Sequence, residues 1–458
     1  MSVATRFGET KTKGQVFQTK GADFVAFILG CTSEFSVHLV GELYLAEIIL
    51  MILFPIFLIL RGKRVLRPEL KILYSLMGLW LIGLIVSDVY NHIDISDRMR
   101  GSALIIFFAI NTLGISMLIG GNEKRKALFV VGLTVGSLAA VKLQPSPAVE
   151  DYPWKFGYAF GTIMLVMLVA SYFYGRRRYV VSGLLLLGIC LVNLLLNYRS
   201  PVLDILVSLA LVYPIVPERL GGIQILPRTD VPRLLVLAVF ALSAGAAAGA
   251  MVNFVTRAGY LDEESQAKNE AQSQAKNLVL GGRPEFVIGL RAALDSPIIG
   301  HGSWAKDPKY YEMLYDALVE SGEQQEQVGG DILSEEGNPL IPAHSAIINA
   351  WIWAGIAGLI FWLYMAWFFL IGITRVAILR PQLAPYIMWL LISTWWDIFF
   401  SPFAANRRII TAFMVVFVAD LMRKKLAIVK GPWRRMGAVN VMRTYGSGNN
   451  PIAPARTR

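Results

Sequence analysis

The chain has 458 residues, of which 55% are apolar and 16% are charged, and its formal net charge is +11. This apolar content is too high for an ordinary soluble domain, so the composition excludes that class. The apolar residues fall in runs of about 17 to 22, and each run matches the ~20 residues that a helix needs to cross the hydrocarbon core of a bilayer. Because backbone groups in lipid must be hydrogen-bonded within the protein, these runs predict helices and an all-α polytopic membrane protein.

Twelve membrane-spanning helices are predicted in chain order, and one long polar segment separates the ninth from the tenth. The first run is interrupted by the polar residues Thr32, Ser33 and Glu34. The predicted spans are 24–40, 43–60, 72–87, 103–120, 127–143, 157–174, 179–197, 201–217, 232–253, 355–374, 384–399 and 409–422. The chain therefore divides into a tail 1–23, nine spans in 24–253, a large loop 254–343, three spans in 344–422 and a basic tail 423–458.

The basic residues predict the orientation of these spans. If the N-terminus is cytoplasmic, 29 of the 43 Lys and Arg residues fall on the cytoplasmic side, and the connections alternate without an inversion. This bias is the one that sets the topology of membrane proteins, so both termini are predicted to be cytoplasmic and the large loop periplasmic. The positive charge then faces the anionic inner leaflet of the bilayer, and it does not indicate a nucleic-acid partner.

The loop 254–343 contains fifteen acidic and seven basic residues, and two stretches in it predict helices. One stretch follows two glycines and begins at Pro284, because proline lacks the N–H group that would be unpaired at the first helical position. Its apolar stripe is predicted to consist of Phe286, Val287, Leu290 and Leu294.

The second stretch, "KYYEMLYDALVE", has Tyr311, Leu314, Tyr315 and Leu318 at helical spacing. It predicts an amphipathic helix that lies on the bundle or in the membrane interface.

Five arginines are predicted on the periplasmic side, where arginine is disfavoured. Arg199 follows the seventh span, Arg283 directly precedes the loop helix that contains Arg291, and Arg407 and Arg408 precede the last span. Arg283 and Arg291 lie about 80° apart around the helix axis, so both can address one side of it.

These arginines have two interpretations. An arginine at the end of a span can extend to lipid phosphate or pair with a carboxylate, here Asp204 or Asp397. Alternatively, they converge on a phosphorylated ligand, because a guanidinium binds phosphate oxygens in a bidentate way and keeps its charge when desolvated. The helix that begins at Pro284 offers unpaired N–H groups to the same anion.

His344 stands where the loop re-enters the membrane, in "PLIPAHSAIINAWIWAGIAG". Its ordinary pKa range suits proton transfer, and the simpler interpretation is an interfacial histidine that caps the following helix. His301, in "GHGS", is interpreted as a loop residue, and no spacing of acidic residues predicts a metal site.

With these residues in place, the chain resembles the O-antigen ligase and O-antigen polymerase superfamily of bacterial envelopes. The resemblance covers the layout of spans and loop and three local patterns, "GGRPEFVIGLRAALDSPIIGHG", "AHSAIINAWIWAGIAGL" and "NYRSP". One position differs, because family members read His-Asn at the end of the loop and this chain has His344-Ser345.

The resemblance implies a metal-independent inverting glycosyltransferase of the GT-C type in the bacterial inner membrane, without a cofactor. Its donor would be an undecaprenyl-pyrophosphate-linked glycan, and its acceptor would be lipid A-core or a growing polysaccharide. Arg199 and Arg283 would bind the pyrophosphate, and His344 would orient or deprotonate the acceptor hydroxyl. Spacing and topology add Arg291 and Arg407 to the binding residues.

Ligase and polymerase both remain open, with the loop motifs closer to the ligase. A transporter or flippase for lipid-linked sugars is the alternative from another class, in which the arginines would bind without chemistry. That alternative predicts paired hydrophobic segments with matching breaks and charged residues at mid-membrane, and neither is evident, because the predicted spans hold few charges and Glu47 is the main exception.

Overall fold

The computed structural model describes residues 20–38, 42–61, 67–145, 147–196, 198, 200–213, 284–321, 339–403 and 406–424. These residues form a helical bundle with one two-stranded antiparallel hairpin, in which Ser36 pairs with Tyr44 and His38 with Glu42. The described bundle lies within one compact unit, residues 1–423.

The bounds of the elements follow the chain order. The hairpin strands are β1 (Ser36–His38) and β2 (Glu42–Tyr44). The helices are α1 (Lys20–Cys31), α2 (Leu45–Arg61), α3 (Lys71–Tyr90), α4 (Ile95–Leu118), α5 (Glu123–Leu143), α6 (Ala148–Asp151), α7 (Ala159–Gly175), α8 (Tyr179–Leu195), α9 (Ser200–Val212), α10 (Pro284–Asp295), α11 (Pro308–Ser321), α12 (Ala346–Ala354), α13 (Ile356–Leu379), α14 (Ala384–Phe400) and α15 (Arg407–Arg423). Short 3₁₀ turns at Thr32–Glu34 and Pro68–Leu70 and a π-helical turn at Pro153–Tyr158 complete the described elements.

Helices occupy ten of the twelve predicted spans. The first predicted span, 24–40, is not one helix, because α1 ends at Cys31 and a 3₁₀ turn and β1 follow. The interrupting polar residues explain this, since Thr32 and Ser33 donate their hydroxyl hydrogen bonds back to α1 carbonyls. The predicted span 232–253 lies outside the described residues, as does the end of 201–217.

Five of the described helical segments are long and apolar enough to cross a membrane. They are Pro68–Tyr90, Ile95–Leu118, Glu123–Leu143, Pro153–Gly175 and Ile356–Leu379. Large apolar side chains on the outside of the bundle, such as Ile82 and Leu184, are exposed in the way that a lipid-facing surface requires. The all-α membrane class therefore agrees with the structure.

The connections predicted to be cytoplasmic contact one another at one end of the bundle, which we call the Asp420 end. There Asp23 binds Arg125, and Arg67 and Lys126 both bind Asp420. Each membrane-spanning helix takes the chain from one end of the bundle to the other. The connections at the Asp420 end therefore alternate along the chain with those at the opposite end, to which the large loop belongs.

The opposite end, which we call the Arg408 end, collects the connections predicted to be periplasmic. Ser36 and Gln144 exchange hydrogen bonds there, and Asn406 donates one to Glu34. Lys306 of the loop forms an ion pair with Asp97 at 3.0 Å. These contacts join described segments that the sequence predicts on one side of the membrane.

The last helix, α15, is the centre of the bundle, since nearly all of its side chains are buried. At its first turn the Arg408 guanidinium makes a bidentate pair with the Glu47 carboxylate of α2, with both contacts at 2.7 Å. Asn111 and the backbone N–H of Tyr44 also donate to Glu47. Each oxygen of this buried carboxylate thus has two donors, which is how a buried charge is tolerated.

The loop segment 296–304, which we call the docking loop, holds α10 and α11 against the bundle. It packs at Gly355, where α12 ends and α13 begins, and the interruption leaves α12 carbonyl groups without helical partners. The backbone N–H groups of His301 and Gly302 donate to the carbonyl oxygens of Ile352 and Trp353 at 2.6 and 3.2 Å. The docking loop therefore satisfies the carbonyl groups that the interruption exposes.

Further bonds fix the docking loop to α3 and α13. Ser303 donates its N–H and its hydroxyl to the two oxygens of Asp88, at 2.6 and 2.9 Å. Asn91 donates to the carbonyl oxygen of Gly300, and the N–H of Ile356 donates to that of Ile298. The position of α10, which ends directly before this segment, is consequently set by backbone hydrogen bonds.

We predict that Gly355→Ala destabilises the fold. Gly355 has φ 58° and ψ −146°, a region open only to glycine, and an added methyl group would lie 1.9 Å from the Ile298 carbonyl oxygen. The strained backbone alone costs about 1–3 kcal/mol, so the melting temperature of the purified protein in detergent should fall clearly.

Gly188→Ala is the matched control, because no atom lies within 4 Å of a methyl group added there. Its melting temperature should equal or slightly exceed that of the wild type, since alanine favours a helix. Equal melting temperatures for the two variants would contradict the close approach at Gly355.

Candidate functional site

The C-terminal end of α14, at the Arg408 end of the bundle, brings together the segments that carry the predicted site residues. Its side chains and carbonyl groups contact α10, the residues before α12 and the start of α15, and Tyr198, between α8 and α9, lies within electrostatic range of Asp397. Asp397, Ile398 and Phe400 make these contacts from one helical turn. We call this region the α14 site.

The loop helix α10 packs on the chain just before His344. The Phe286 ring lies 5.9 Å from the Phe400 ring of α14. A methyl group added at Gly289 would lie 2.8 Å from the Pro342 carbonyl oxygen, so the helix and the segment 342–343 are in close contact. The helix begins at Pro284, as predicted, and its first turn lies beside the α14 site.

The predicted apolar stripe of α10 is wrong in part. The buried residues are Ile288, Gly289, Ala292 and Ala293, whereas Val287 and Leu294 are 51% and 55% exposed. Small residues share the buried face with Ile288 because the backbone of α10 approaches the bundle closely, and Val287 and Leu294 point outwards.

His344 is exposed at the entry to α12, next to the α14 site. The following residue, Ser345, is buried and is the N-cap of α12, where its hydroxyl accepts a hydrogen bond from the N–H of Ile348. The same hydroxyl donates to the carbonyl oxygen of Ile398 at 3.3 Å. Ser345 therefore caps the helix and connects it to α14, and the exposed imidazole is carried by a rigid turn.

Arg407 forms an ion pair with Asp397, one of the two carboxylates that the pairing interpretation names. Both side chains are partly exposed. Tyr198 lies within the electrostatic range of both groups, and burial raises the pKa of Tyr198 while its hydrogen bond with Ser200 and the charge of Arg407 lower it. Arg407 thus has a carboxylate partner within the α14 site.

Arg291 lies on the outward face of α10, between Val287 and Leu294, and its side chain is 63% exposed. Its Nε is 3.7 Å from Asp295, one turn further along the helix. Asp295 also accepts hydrogen bonds from Lys309 and from the hydroxyl of Tyr310, and these bonds lower the pKa of Asp295. Arg291 therefore belongs to a network that ties α10 to α11, and it lies outside the α14 site.

Helix α11 agrees with the predicted amphipathic helix, although its buried face includes Tyr310 as well as Leu314. Burial, followed by the carboxylate of Asp295, raises the pKa of Tyr310 above its ordinary value. His301 is a structural residue of the docking loop, as interpreted from the sequence, since its Nε2 bonds to the Ala292 carbonyl oxygen at 2.8 Å.

Arg199 and Arg283 lie outside the described residues. Tyr198 directly precedes Arg199, and Phe286 lies three residues after Arg283. Tyr198 interacts electrostatically with Arg407 and Asp397, and Phe286, in the first turn of α10, lies near Phe400.

The sequence predicts only that Asp397 pairs with an arginine, and it predicts no role for Tyr198 in the site. Only their position could indicate such a role, because Asp397 lies within the predicted periplasmic end of a span and Tyr198 lies next to one. The sequence indicates Asp204 only as a possible partner of an arginine, and Asp204 is buried, with Ser393 hydrogen-bonded to its side chain.

Among the described residues, no group of three or more His, Cys, Asp or Glu side chains is placed to hold a metal ion. In comparisons with known proteins, no family model matches this chain and no curated protein is similar to it at a significant level.

We predict that the adjacent residues Arg407 and Arg408 contribute very differently to the free energy of unfolding. Arg408→Gln leaves the buried Glu47 carboxylate without its cation, which should cost about 3–5 kcal/mol of unfolding free energy. Arg407→Gln removes a partly exposed pair and should cost at most about 1 kcal/mol. Denaturant unfolding of the purified variants measures both.

The double variant Glu47→Gln/Arg408→Gln should recover part of the stability lost in Arg408→Gln, since no buried charge then remains unpaired. Equal destabilisation by Arg407→Gln and Arg408→Gln would contradict the distinction between the two arginines.

Proposed function

We propose that the protein is an inner-membrane glycosyltransferase with twelve spans, cytoplasmic termini and its active face towards the periplasm. It would transfer an undecaprenyl-pyrophosphate-linked glycan to an acceptor hydroxyl without a metal ion. The observation that carries the proposal is the convergence of four separate segments on the end of α14. Those segments are the ones that contain or adjoin His344, Arg407, Arg199 and Arg283.

The residues divide the chemistry between them. The acceptor hydroxyl oxygen attacks the anomeric carbon of the donor, the bond from that carbon to the pyrophosphate oxygen breaks, and the configuration inverts. His344 takes the hydroxyl proton, for which its exposure at a rigid turn is suitable. Arg199 and Arg283 stabilise the negative charge that builds on the leaving pyrophosphate. The products are the elongated acceptor and undecaprenyl pyrophosphate.

Arg407 and Arg291 have different parts in this proposal. Arg407 would bind the pyrophosphate while Asp397 holds its guanidinium in position. Arg291 lies on the outward face of α10 with exposed apolar neighbours, so it would contact glycan or headgroup groups away from the leaving phosphate.

The acceptor would be lipid A-core, as in a ligase, or a second repeat unit, as in a polymerase. The donor's lipid tail would lie against the apolar outside of the bundle, and its sugars would extend towards the periplasmic helices. Ser345 supports either acceptor in the same way, because it positions His344 through the cap of α12.

The alternative is a transporter or flippase for lipid-linked sugars. Its main sequence feature, the intramembrane Glu47, is neutralised by a bidentate pair with Arg408 and by two further donors. A carboxylate with its contacts filled in this way is suited to holding helices together. The Glu47 site therefore favours the enzyme over the transporter.

The decisive experiment incubates the purified protein with undecaprenyl-pyrophosphate glycan and either lipid A-core or a second repeat unit. We predict transfer to one of these acceptors, with the donor pyrophosphate released in equal amount. Arg199→Ala, Arg283→Ala and His344→Ala should each lower the rate by roughly 100-fold or more, as the loss of one stabilising group does in comparable sites.

Two matched controls come from the same end of the bundle. Lys309→Ala removes an exposed positive charge from the large loop, and His92→Ala removes another histidine from a periplasmic connection. Both should transfer at nearly the wild-type rate. Near-normal transfer by Arg199→Ala and Arg283→Ala would overturn the proposal, and so would movement of donor across a vesicle membrane without any transfer. Loss of wild-type transfer in chelator would overturn the metal-free mechanism.

A further inference from the structure

A basic cavity lies at the Asp420 end of the bundle, opposite the α14 site. It has a volume of about 350 Å³ and is formed where α7 leads into α8 and α13 leads into α14. Its lining residues are Tyr174, Gly175, Arg177, Tyr179, Arg380 and Gln382. Two arginines from different connections therefore line one concave surface.

Both arginines have a left-handed backbone. Arg177 has φ 60° and Arg380 has φ 43°, and each follows the C-terminal end of a long helix. Glycine usually occupies this position, because a side chain there costs free energy. Such backbone strain is common where a side chain binds a ligand.

The two arginines also differ in their partners from most of the other described arginines. Most of the others bind a carboxylate or a carbonyl oxygen, namely Arg67, Arg98, Arg100, Arg125, Arg291, Arg407, Arg408 and Arg423. Within the described part of the chain, Arg177 and Arg380 have no such partner. The chain segments that form the cavity also contain no acidic residue, since none occurs in 152–203 or 346–396.

The surroundings of the cavity indicate which anion fits. Tyr179 lines the cavity and begins α8, and along that helix Val180, Leu184 and Leu187 are exposed apolar side chains. An acyl chain can lie on this surface while a phosphate occupies the cavity. Basic pockets between helices on the cytoplasmic side of membranes bind anionic lipid headgroups in this way.

We propose that Arg177 and Arg380 together bind the phosphate of an anionic phospholipid, with Gln382 donating from its amide group. Guanidinium groups bind phosphate oxygens in a bidentate way and stay charged beside the bilayer. The site holds the ends of α7 and α13 together through a lipid from the leaflet at the Asp420 end.

The test uses the full-length protein in detergent and measures bound lipid by native mass spectrometry. Phosphatidylglycerol, zwitterionic phosphatidylethanolamine and inorganic phosphate are the three probes. The wild type should bind phosphatidylglycerol at least about tenfold more tightly than phosphatidylethanolamine, in line with charge-assisted hydrogen bonds to two arginines. Inorganic phosphate should neither displace the lipid nor raise the melting temperature at millimolar concentration.

Arg177→Gly/Arg380→Gly removes both guanidinium groups and relieves both left-handed positions, so this variant should fold at least as well as the wild type. Its preference for phosphatidylglycerol should fall by about tenfold or more. Arg176→Gln/Arg178→Gln is the control with the same loss of charge, taken from the α7–α8 connection. The Arg176 guanidinium lies 4.5 Å from the Tyr172 ring, and neither control residue lines the cavity.

Three results would overturn the proposal. The first is equal binding of the two phospholipids by the wild type. The second is an equal loss of preference in the control variant, which would mean general attraction to a basic surface. The third is protection by inorganic phosphate as strong as that by lipid, which would mean a small-anion site.

Discussion

The contact on which the Arg408 end of the structure depends is the backbone-to-backbone packing of the docking loop at Gly355. The interruption between α12 and α13 exposes carbonyl groups inside an otherwise apolar bundle, and such groups must be paired. The docking loop supplies the N–H groups, and Asp88 of α3 fixes the same loop through Ser303. The direction of α10, and with it the position of its first turn beside α14, follows from this arrangement.

Charge is treated differently at the two ends of the bundle. At the Asp420 end, the Asp420 carboxylate binds Arg67, Lys126 and the N–H of Gly121, whereas Arg177 and Arg380 have no described acidic partner. At the Arg408 end, the buried Glu47 is fully bonded, whereas the Arg407 pair remains partly exposed. Groups that hold the fold are thus buried and satisfied, and groups proposed to bind ligands have access to solvent or lipid.

Much of the helical layout could be predicted from the sequence, because apolar runs and the placement of basic residues are strong signals. The start of α10 at Pro284 follows from local rules. The face that α10 buries does not, since glycine and alanine can pack against a backbone more closely than valine and leucine can, and periodicity alone ranks the larger side chains first. The interruption at Gly355 could not be predicted either, because the sequence is apolar on both sides of it.

The candidate site, too, could be predicted from the sequence only in part. The pairing of Arg407 with Asp397 is among the sequence alternatives, and Arg291 with Asp295 has the i, i+4 spacing of helical ion pairs. What the sequence could not provide is the meeting of α10, α12 and α15 on one turn of α14, because that depends on the docking loop. From the sequence alone, Arg177 and Arg380 indicate only on which side of the membrane their connections lie. No local sequence pattern predicts their left-handed backbone or the cavity that they share.

The Glu47–Arg408 pair has a consequence for biogenesis. Its two members are 361 residues apart, so α2 enters the membrane long before the helix that carries its counter-charge has been synthesised. Until then the carboxylate must be protonated, hydrated or paired elsewhere, as must Arg67 and Lys126, which wait for Asp420 of the same helix. The described bundle can therefore be completed only after α15 has been synthesised, and a chain that stops before α15 lacks the partners of Glu47, Arg67 and Lys126.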